Sequence, residues 1–377
     1  MIIKSFKPWI YQGNLNEFIS PPFDTINEDE EANLKKYEFN ITHITLPENY
    51  ESARKILQSL IASGKLKMVV ESIIIVTIEY ENNGIKFKIP GIISLIDSDD
   101  PKIITHEKTF KKFVNDRVNL MKTIDGQPEP VFLVTIENFN HIINEIIKNG
   151  LAEKLDEFKF KGMNIKIHRI IKKEVIEELK FKFNVIHGII ADGHHRLSAS
   201  RILYNETGDT FWKYVMAFIV SLHNEGLRIS GVNRIVKSSK KFEEMKECIS
   251  ENFYIVNDEN HSEGIIEIYN GNFFEIIPKV NGRGLIEDLP VSLVNDLIFK
   301  KCLKWTEREL SDNVYFTNSW QEVVENVDSG KYSFGIIMPP FNKEKFVEIA
   351  SKGLIFPQKS TYFNPKIPSG IALNLNF

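Results

Sequence analysis

The sequence predicts an α/β chain of mixed α+β elements with a second, smaller α+β domain, and three observations lead there. Apolar β-branched runs alternate with segments whose apolar residues recur at three- and four-residue steps, the strand and helix periods. Asn83-Gly84 separates two of the β-branched runs, and Asn-Gly is a hairpin signal. A third run, 184–190, passes through Asp192-Gly193 straight into a helical pattern with Ala199, Ile202 and Leu203 at core spacing.

Taken in order, the chain opens with short apolar stretches and the Pro21-Pro22-Phe23-Asp24 loop, followed by an acidic, helix-prone stretch over 27–37. A helix is expected over 51–66, stopping at Gly64, and a hairpin from 69–80 and 85–95. The polar stretch 97–117 leads into a helix through Asn119-Leu120-Met121-Lys122. Residues 131–136 read as a strand and 139–158 as a helix broken at Gly150. With a strand over 214–221, the stretch 184–221 resembles a βαβ unit, whose crossover is right-handed if its strands are parallel. The character changes after Lys237. A helix (241–252), short strands (253–280), a helix (291–305) and alternating strands and helices follow, so the expected domains are 1–237 and 238–377.

Composition narrows the partners. The 377 residues, 42% hydrophobic, suffice for a core without staples. A net charge of −4 gives no reason to expect nucleic acid. The longest largely apolar run, 73–78, is far shorter than a membrane span, and residues 1–12 hold no continuous apolar stretch of the leader type. Cys248 and Cys302 stand in neither metal nor redox spacing and are read as ordinary buried thiols, which suits a reducing, cytoplasmic setting. Oligomeric state is open.

The richest local signal is Ala191-Asp192-Gly193-His194-His195-Arg196. A strand that ends in Asp-Gly and opens a helix presents free backbone N–H groups and the positive end of the helix dipole, which favour an anion such as phosphate. Gly193 allows close approach of the backbone, and Arg196 offers a bidentate fork. Asp192 stands at the expected N-cap, as a plain cap, a Mg²⁺ ligand or a proton acceptor. His194 and His195 project about 100° apart on a helix, so one is expected to face a ligand while the other packs. Asp24, rigidified by two prolines, is a base, a Mg²⁺ ligand or a simple helix N-cap. His106-Glu107 and Asp116-Arg117 flank a polar stretch, with Glu107 as base or metal ligand and Arg117 as charge clamp. Lys359, Ser360, Thr361 and Lys366 lie on a loop broken by Pro357, Pro365 and Pro368, and two lysines with two hydroxyls suit phosphate.

ADGHHRLSAS resembles the signature of a family of bacterial and archaeal proteins known only as a domain of unknown function. Pro22-Phe23-Asp24 is similar to its Pro-Tyr-Asp motif, and THEKTF (105–110) with Asp116-Arg117 to its His-Glu-x-Thr and Asp-Arg motifs. FPQKSTYFNPKIPSG (356–370) is similar to its C-terminal Pro-x-Lys-Ser-Thr-x-Phe-x-Pro-Lys motif. One departure is the Gly231-Val232-Asn233-Arg234 string, where relatives carry Pro-Thr-His-Arg, so only Arg234 carries over. The turn is also similar to that of the ParB-like and sulfiredoxin-like superfamily, in which it cradles nucleotide phosphates and whose members include a free-serine kinase using ADP. That resemblance implies a ParB-like nucleotide-binding core, ADP or ATP with Mg²⁺ as cofactors, and a C-terminal loop (356–370) that returns to the site.

The expectation is therefore a nucleotide-dependent phosphotransferase acting on a small hydroxyl compound, free serine among them. Asp192, His194, His195, Glu107 and Asp24 would be catalytic. Gly193, Arg196, Arg117, Arg234, Lys359, Ser360, Thr361 and Lys366 would bind phosphate, and Asp192 with Glu107 would hold the metal. The alternatives are a nucleotide-binding or hydrolysing switch and a metal-dependent phosphoesterase. Walker A, dinucleotide Gly-x-Gly-x-x-Gly and Gly-x-Ser-x-Gly patterns are absent from the sequence.

Overall fold

The computed structural model describes residues 1–258, 260–279 and 282–377. It divides into two compact units, Met1–Leu227 together with Pro365–Phe377, and Arg228–Asn364. The boundary falls ten residues before the expected 237/238 because Asn233–Val236 is a strand of the smaller sheet.

The larger unit is built on a nine-stranded mixed sheet among the described residues. Its strands are β1 (Ile3–Lys4), β2 (Ile73–Asn82), β3 (Ile85–Asp97), β4 (Ile103–Ile104), β5 (Val131–Thr135), β6 (Glu153–Phe160), β7 (Met163–Ile170), β8 (Gly188–Asp192) and β9 (Tyr214–Ser221). The spatial order is β4-β8-β5-β9-β3-β2-β7-β6, with β1 pairing the far end of β3. The β2–β3 hairpin turns where the sequence signals it. Asn82 pairs Ile85, and Asn83 and Gly84 both have positive φ (50° and 76°), the backbone a two-residue type I′ turn needs. Central strands read as continuous apolar runs because both faces are covered, as in the buried Ile73–Ile78 portion of β2 and all of β5.

Three expectations change here. The strand over 184–190 is shifted to Gly188–Asp192, and it is neither adjacent nor parallel to β9. It runs antiparallel to β5, which in turn is parallel to β9, so no parallel βαβ crossover forms. The expected helix over 139–158 ends at Lys148. Beyond Gly150 the alternating pattern of 153–160 pairs as β6 with β7, a hairpin closed by Lys161-Gly162 in the left-handed region. The helix expected through Asn119–Lys122 begins earlier, inside the polar stretch 97–117: helix α1 spans Lys111–Ile124 and buries Val114, Val118 and Met121 against helix α2 (His194–Thr207).

The C-terminal segment is stitched into the larger unit by backbone pairs on both sides of its length. Ser369 bridges Ser20, Leu373 bridges Trp9, and Asn374–Leu375 pairs with Gly126–Gln127. These contacts fix where Lys366 can reach.

The smaller unit carries a six-stranded sheet among its described residues. Its strands are β10 (Asn233–Val236), β11 (Phe253–Asp258), β12 (Ile266–Tyr269), β13 (Phe273–Pro278), β14 (Val314–Thr317) and β15 (Phe334–Ile337), in the order β11-β13-β12-β15-β10-β14. Val280, where the expected run of short strands ends, lies outside the described residues. Helix Trp320–Asp328 packs Val323 onto Ile235 and Ile337 of this sheet. The expected 291–305 helix is a short α-helical turn followed by a π-helix, Val294–Cys302. Its last residue corrects a second expectation. Cys302 is joined by a disulfide to Cys248 on helix Phe242–Asn252, a pairing across 54 residues of sequence that spacing alone does not reveal. Cysteine usage therefore gives no argument for a reducing compartment. No helix among the described residues is long and apolar enough to cross a membrane.

Candidate functional site

The Asp-Gly turn sits where β8 ends and α2 begins. Gly193, at φ +87° and ψ 24°, is the N-cap of α2, and no side chain caps that end. The first turn thus receives no cap from its N-cap side chain and stands at the positive end of a 14-residue helix. Two constraints hold Gly193 to glycine. Its φ is one that L-residues rarely adopt, and a Cβ there would stand 3.0 Å from the Arg196 guanidinium. Asp192 is not the cap expected from the sequence. Its carboxylate turns instead to two cations, receiving Arg196 at 2.8 Å on one oxygen and lying 3.2 Å from the Lys366 ammonium on the other.

Arg196 and Lys366 extend this into a cluster. Arg196 donates to the Pro130 carbonyl at 2.6 Å and lies 3.9 Å from the Glu129 carboxylate, which accepts the Ser369 hydroxyl. Lys366 lies 3.6 Å from Asp24. Burial pulls the Asp192 carboxyl upward, but Lys366 and then Arg196 overcome that and hold it at about 2. Burial likewise opposes the Arg196 charge, and Glu129, Asp192 and Asp24 together raise it above the usual arginine value. Pro22, Glu129, Pro130, Asp192, Arg196 and Lys366 line a tight pocket here, with room for about one water molecule.

Asp24 is the most open carboxylate of the group, its side chain 36% exposed. It sits on a single 3₁₀ turn, Phe23–Thr25, and Phe23 places that turn. The Phe23 ring lies 4.3 Å from the Arg117 guanidinium and 5.9 Å from that of Arg196. Arg117 is buried and committed elsewhere, to Asp116 at 2.5 and 2.9 Å and to the Thr45 carbonyl at 3.0 Å. It reaches the cluster through Phe23 and by lining, with Glu129 and Arg196, a second small pocket.

The two histidines of the turn differ in burial and partners. His194 is 7% exposed, meets the His106 ring edge-on at 4.8 Å, and its Nε2 has no hydrogen-bond partner among the described residues. Burial pushes His194 down to about 4 and His106 to about 3, so both are neutral at neutral pH. His195 turns outward and accepts the Phe110 N–H at 3.3 Å. Glu107 follows His106, half-buried on the same stretch.

The sequence from residue 3 to residue 297 matches the model of the family described as "Protein of unknown function (DUF1015)". This chain belongs to that family. No curated protein matches the sequence. Among solved structures, a conserved hypothetical protein from Pyrococcus furiosus is similar at 17% identity and a TM-score of 0.41, over 75% of this chain and 95% of that one. A free serine kinase in complex with AMP is similar at 15% identity and 0.42, over 75% and 91%. SbnI with C-terminal truncation from Staphylococcus aureus is similar at 11% and 0.43, over 75% and 87%.

The family's motif residues do not all gather in the larger unit. Asp24, Asp192, Gly193, His194, Arg196 and Lys366 meet there, with Arg117 behind Phe23. Arg234, Lys359, Ser360 and Thr361 belong to the smaller unit. In it Arg234, 1% exposed, donates to the carbonyls of Val232 and Lys359, the latter at 3.0 Å, and the Ser360 hydroxyl donates to the Pro357 carbonyl. Sequence reasoning missed Glu129, whose signal is a lone carboxylate between Pro128 and Pro130 at the mouth of a buried strand. Gln127 secures that lead-in by bridging the Tyr214 carbonyl (2.8 Å) and the Met216 N–H (2.6 Å).

The expected Mg²⁺ pair, Asp192 and Glu107, does not fit a metal centre built by the protein alone. Asp192 has both oxygens engaged by cations, and no group of three or more His, Cys, Asp or Glu side chains able to hold a metal occurs among the described residues. The phosphoesterase reading needs such a group.

Proposed function

We propose that this chain transfers a phosphoryl group from a nucleotide, ADP or ATP, to a hydroxyl of a small metabolite, free serine being one such acceptor. The observation that carries the reading is the meeting of an uncapped helix N-terminus with Lys366, Arg196, Asp192 and Asp24. Phosphoryl transfer asks a protein mainly for positioning and for offsetting charge on the transferring group, and this arrangement supplies both. The bond from the terminal phosphorus to the departing nucleotide breaks as the acceptor oxygen bonds to that phosphorus. The hydroxyl proton passes to Asp24, the accessible carboxylate. The first-turn N–H groups and Lys366 receive the phosphoryl oxygens, and neutral His194 offers Nε2 as a hydrogen-bonding group. Asp192 is a positioning residue that holds Lys366 and Arg196. The motif resemblance to the ParB-like turn supports the phosphate assignment.

Phosphorus NMR of the purified protein with ADP, ATP or CTP, with and without Mg²⁺ and a panel of hydroxyl compounds including serine, tests this. The expected result is a new phosphomonoester signal that requires both nucleotide and acceptor. Asp24→Asn should slow its appearance about 10²–10⁴-fold, the range for a general base. Nucleotide loss with no acceptor product would replace the kinase reading with a hydrolytic switch, and no turnover of any nucleotide would end it.

A further inference from the structure

Residues 108–113 form an exposed run, Lys108, Thr109, Phe110, Lys111, Lys112 and Phe113, that the fold does not use for its core. Helix α1 buries Val114, Val118 and Met121, at helical spacing, and leaves its N-cap residue Phe110 47% and its first-turn residue Phe113 51% exposed. The two rings meet edge-on at 5.8 Å, and Phe113 meets the His195 imidazole edge-on at 5.5 Å. Because His195 Nε2 also accepts the Phe110 N–H, this aromatic edge is fastened to the first turn of α2, whose N-cap Gly193 supplies no side-chain cap.

Two large rings in water are a cost unless something covers them, and the covering group here must suit three neighbouring lysines and an anion-favouring helix start. A flat aromatic ring carrying a phosphate chain has that chemistry. We propose that Phe113 and Phe110 are the stacking wall for the base of the nucleotide, with Lys108, Lys111 and Lys112 drawing its phosphates toward the α2 turn. The inference rests on the phosphoryl-transfer reading and deepens it. It makes the donor a nucleotide rather than inorganic polyphosphate, and it assigns His195, outward of the phosphate site, to holding the wall rather than to proton transfer.

Calorimetric titration of the full chain with ADP and, separately, with inorganic pyrophosphate separates the two ideas. Stacking of a base on an aromatic side chain is worth enough that Phe113→Ala should weaken ADP binding about tenfold or more. Pyrophosphate affinity should be unchanged, and Phe113→Tyr should restore ADP affinity. Both Phe positions are surface sites, so the fold should survive; matching circular dichroism and melting curves check this. Unchanged ADP affinity in Phe113→Ala, equal losses for ADP and pyrophosphate, or wild-type protein that binds pyrophosphate but not ADP each overturns the wall while leaving the phosphate site standing. Binding of neither probe overturns the phosphate site and the wall with it. Single-stranded oligoadenylate that binds far more tightly than ADP, with the same dependence on Phe113, would replace the nucleotide with RNA.

Discussion

Arg196 in the larger unit and Arg234 in the smaller one are both buried and carry the same expected role, yet their surroundings are opposite. Arg196 sits among carboxylates. Burial works against its charge, and Glu129, Asp192 and Asp24 more than offset that. Arg234 has no carboxylate at ion-pair distance among the described residues. It donates to two backbone carbonyls, lies 5.6 Å from the Phe316 ring, and is pushed down to about 9 by burial alone. A motif records that an arginine is present, whereas the surrounding charges decide whether that arginine holds a network together or stands as an uncompensated cation.

That contrast breaks or sharpens through three measurements. Arg196→Met leaves Glu129 without its buried cation and Asp192 with Lys366 alone, and the expected cost is about 3–5 kcal/mol in urea unfolding. A loss under about 1 kcal/mol would mean that water already reaches the cluster and that the pairing is superficial.

The second measurement is pH dependence. In the folded chain His194 and His106 have values lowered to about 4 and about 3, against 6.5 for a free histidine. The unfolded chain therefore binds protons first as pH falls. Their stabilising contribution is whole above about pH 6.5 and is lost on the way down toward pH 4. At pH 5 the loss should reach at most about 2 kcal/mol for each histidine. His106→Phe should flatten the profile between pH 7.5 and 5 by the share that His106 carries, and an unchanged slope would show that the His106 ring is not held neutral.

The smallest effect belongs to Arg234→Met. Removing a buried cation that no acid accompanies should change stability by less than about 1 kcal/mol or raise it. A loss as large as that of Arg196→Met would erase the distinction between the two arginines.

The class of the fold was legible in the sequence because periodicity is local. The Asn83-Gly84 hairpin, the Tyr214–Ser221 strand and the start of α2 at His194 all lie where alternation, helical spacing and turn chemistry put them. What failed was pairing. Nothing in the residues 184–221 tells that β5 lies between β8 and β9, nor does the spacing of Cys248 and Cys302 tell that they are joined, since both facts depend on chain segments far away in sequence. The site divides in the same way. The turn at 191–196 was visible because its residues are consecutive, and Glu129 was invisible because a single glutamate between prolines resembles any other loop residue until Ser369 and Arg196 are seen beside it. The choice among cap, metal ligand and proton acceptor for Asp192 was open because sequence shows its position and not the cations beside it.

The return of residues 365–377 to the larger unit bears on how the molecule is born. A ribosome delivers Asp24, Glu129 and Asp192 first and then the whole of 228–364 before Lys366 emerges. Until then the early carboxylates share a single strong cation, Arg196, so the nascent larger unit carries an excess of negative charge at its heart. Lys366 brings the second cation only after the strands of both large sheets have emerged, and a chain arrested before it would hold those strands while Asp24 and Asp192 lack the ammonium that sits between them.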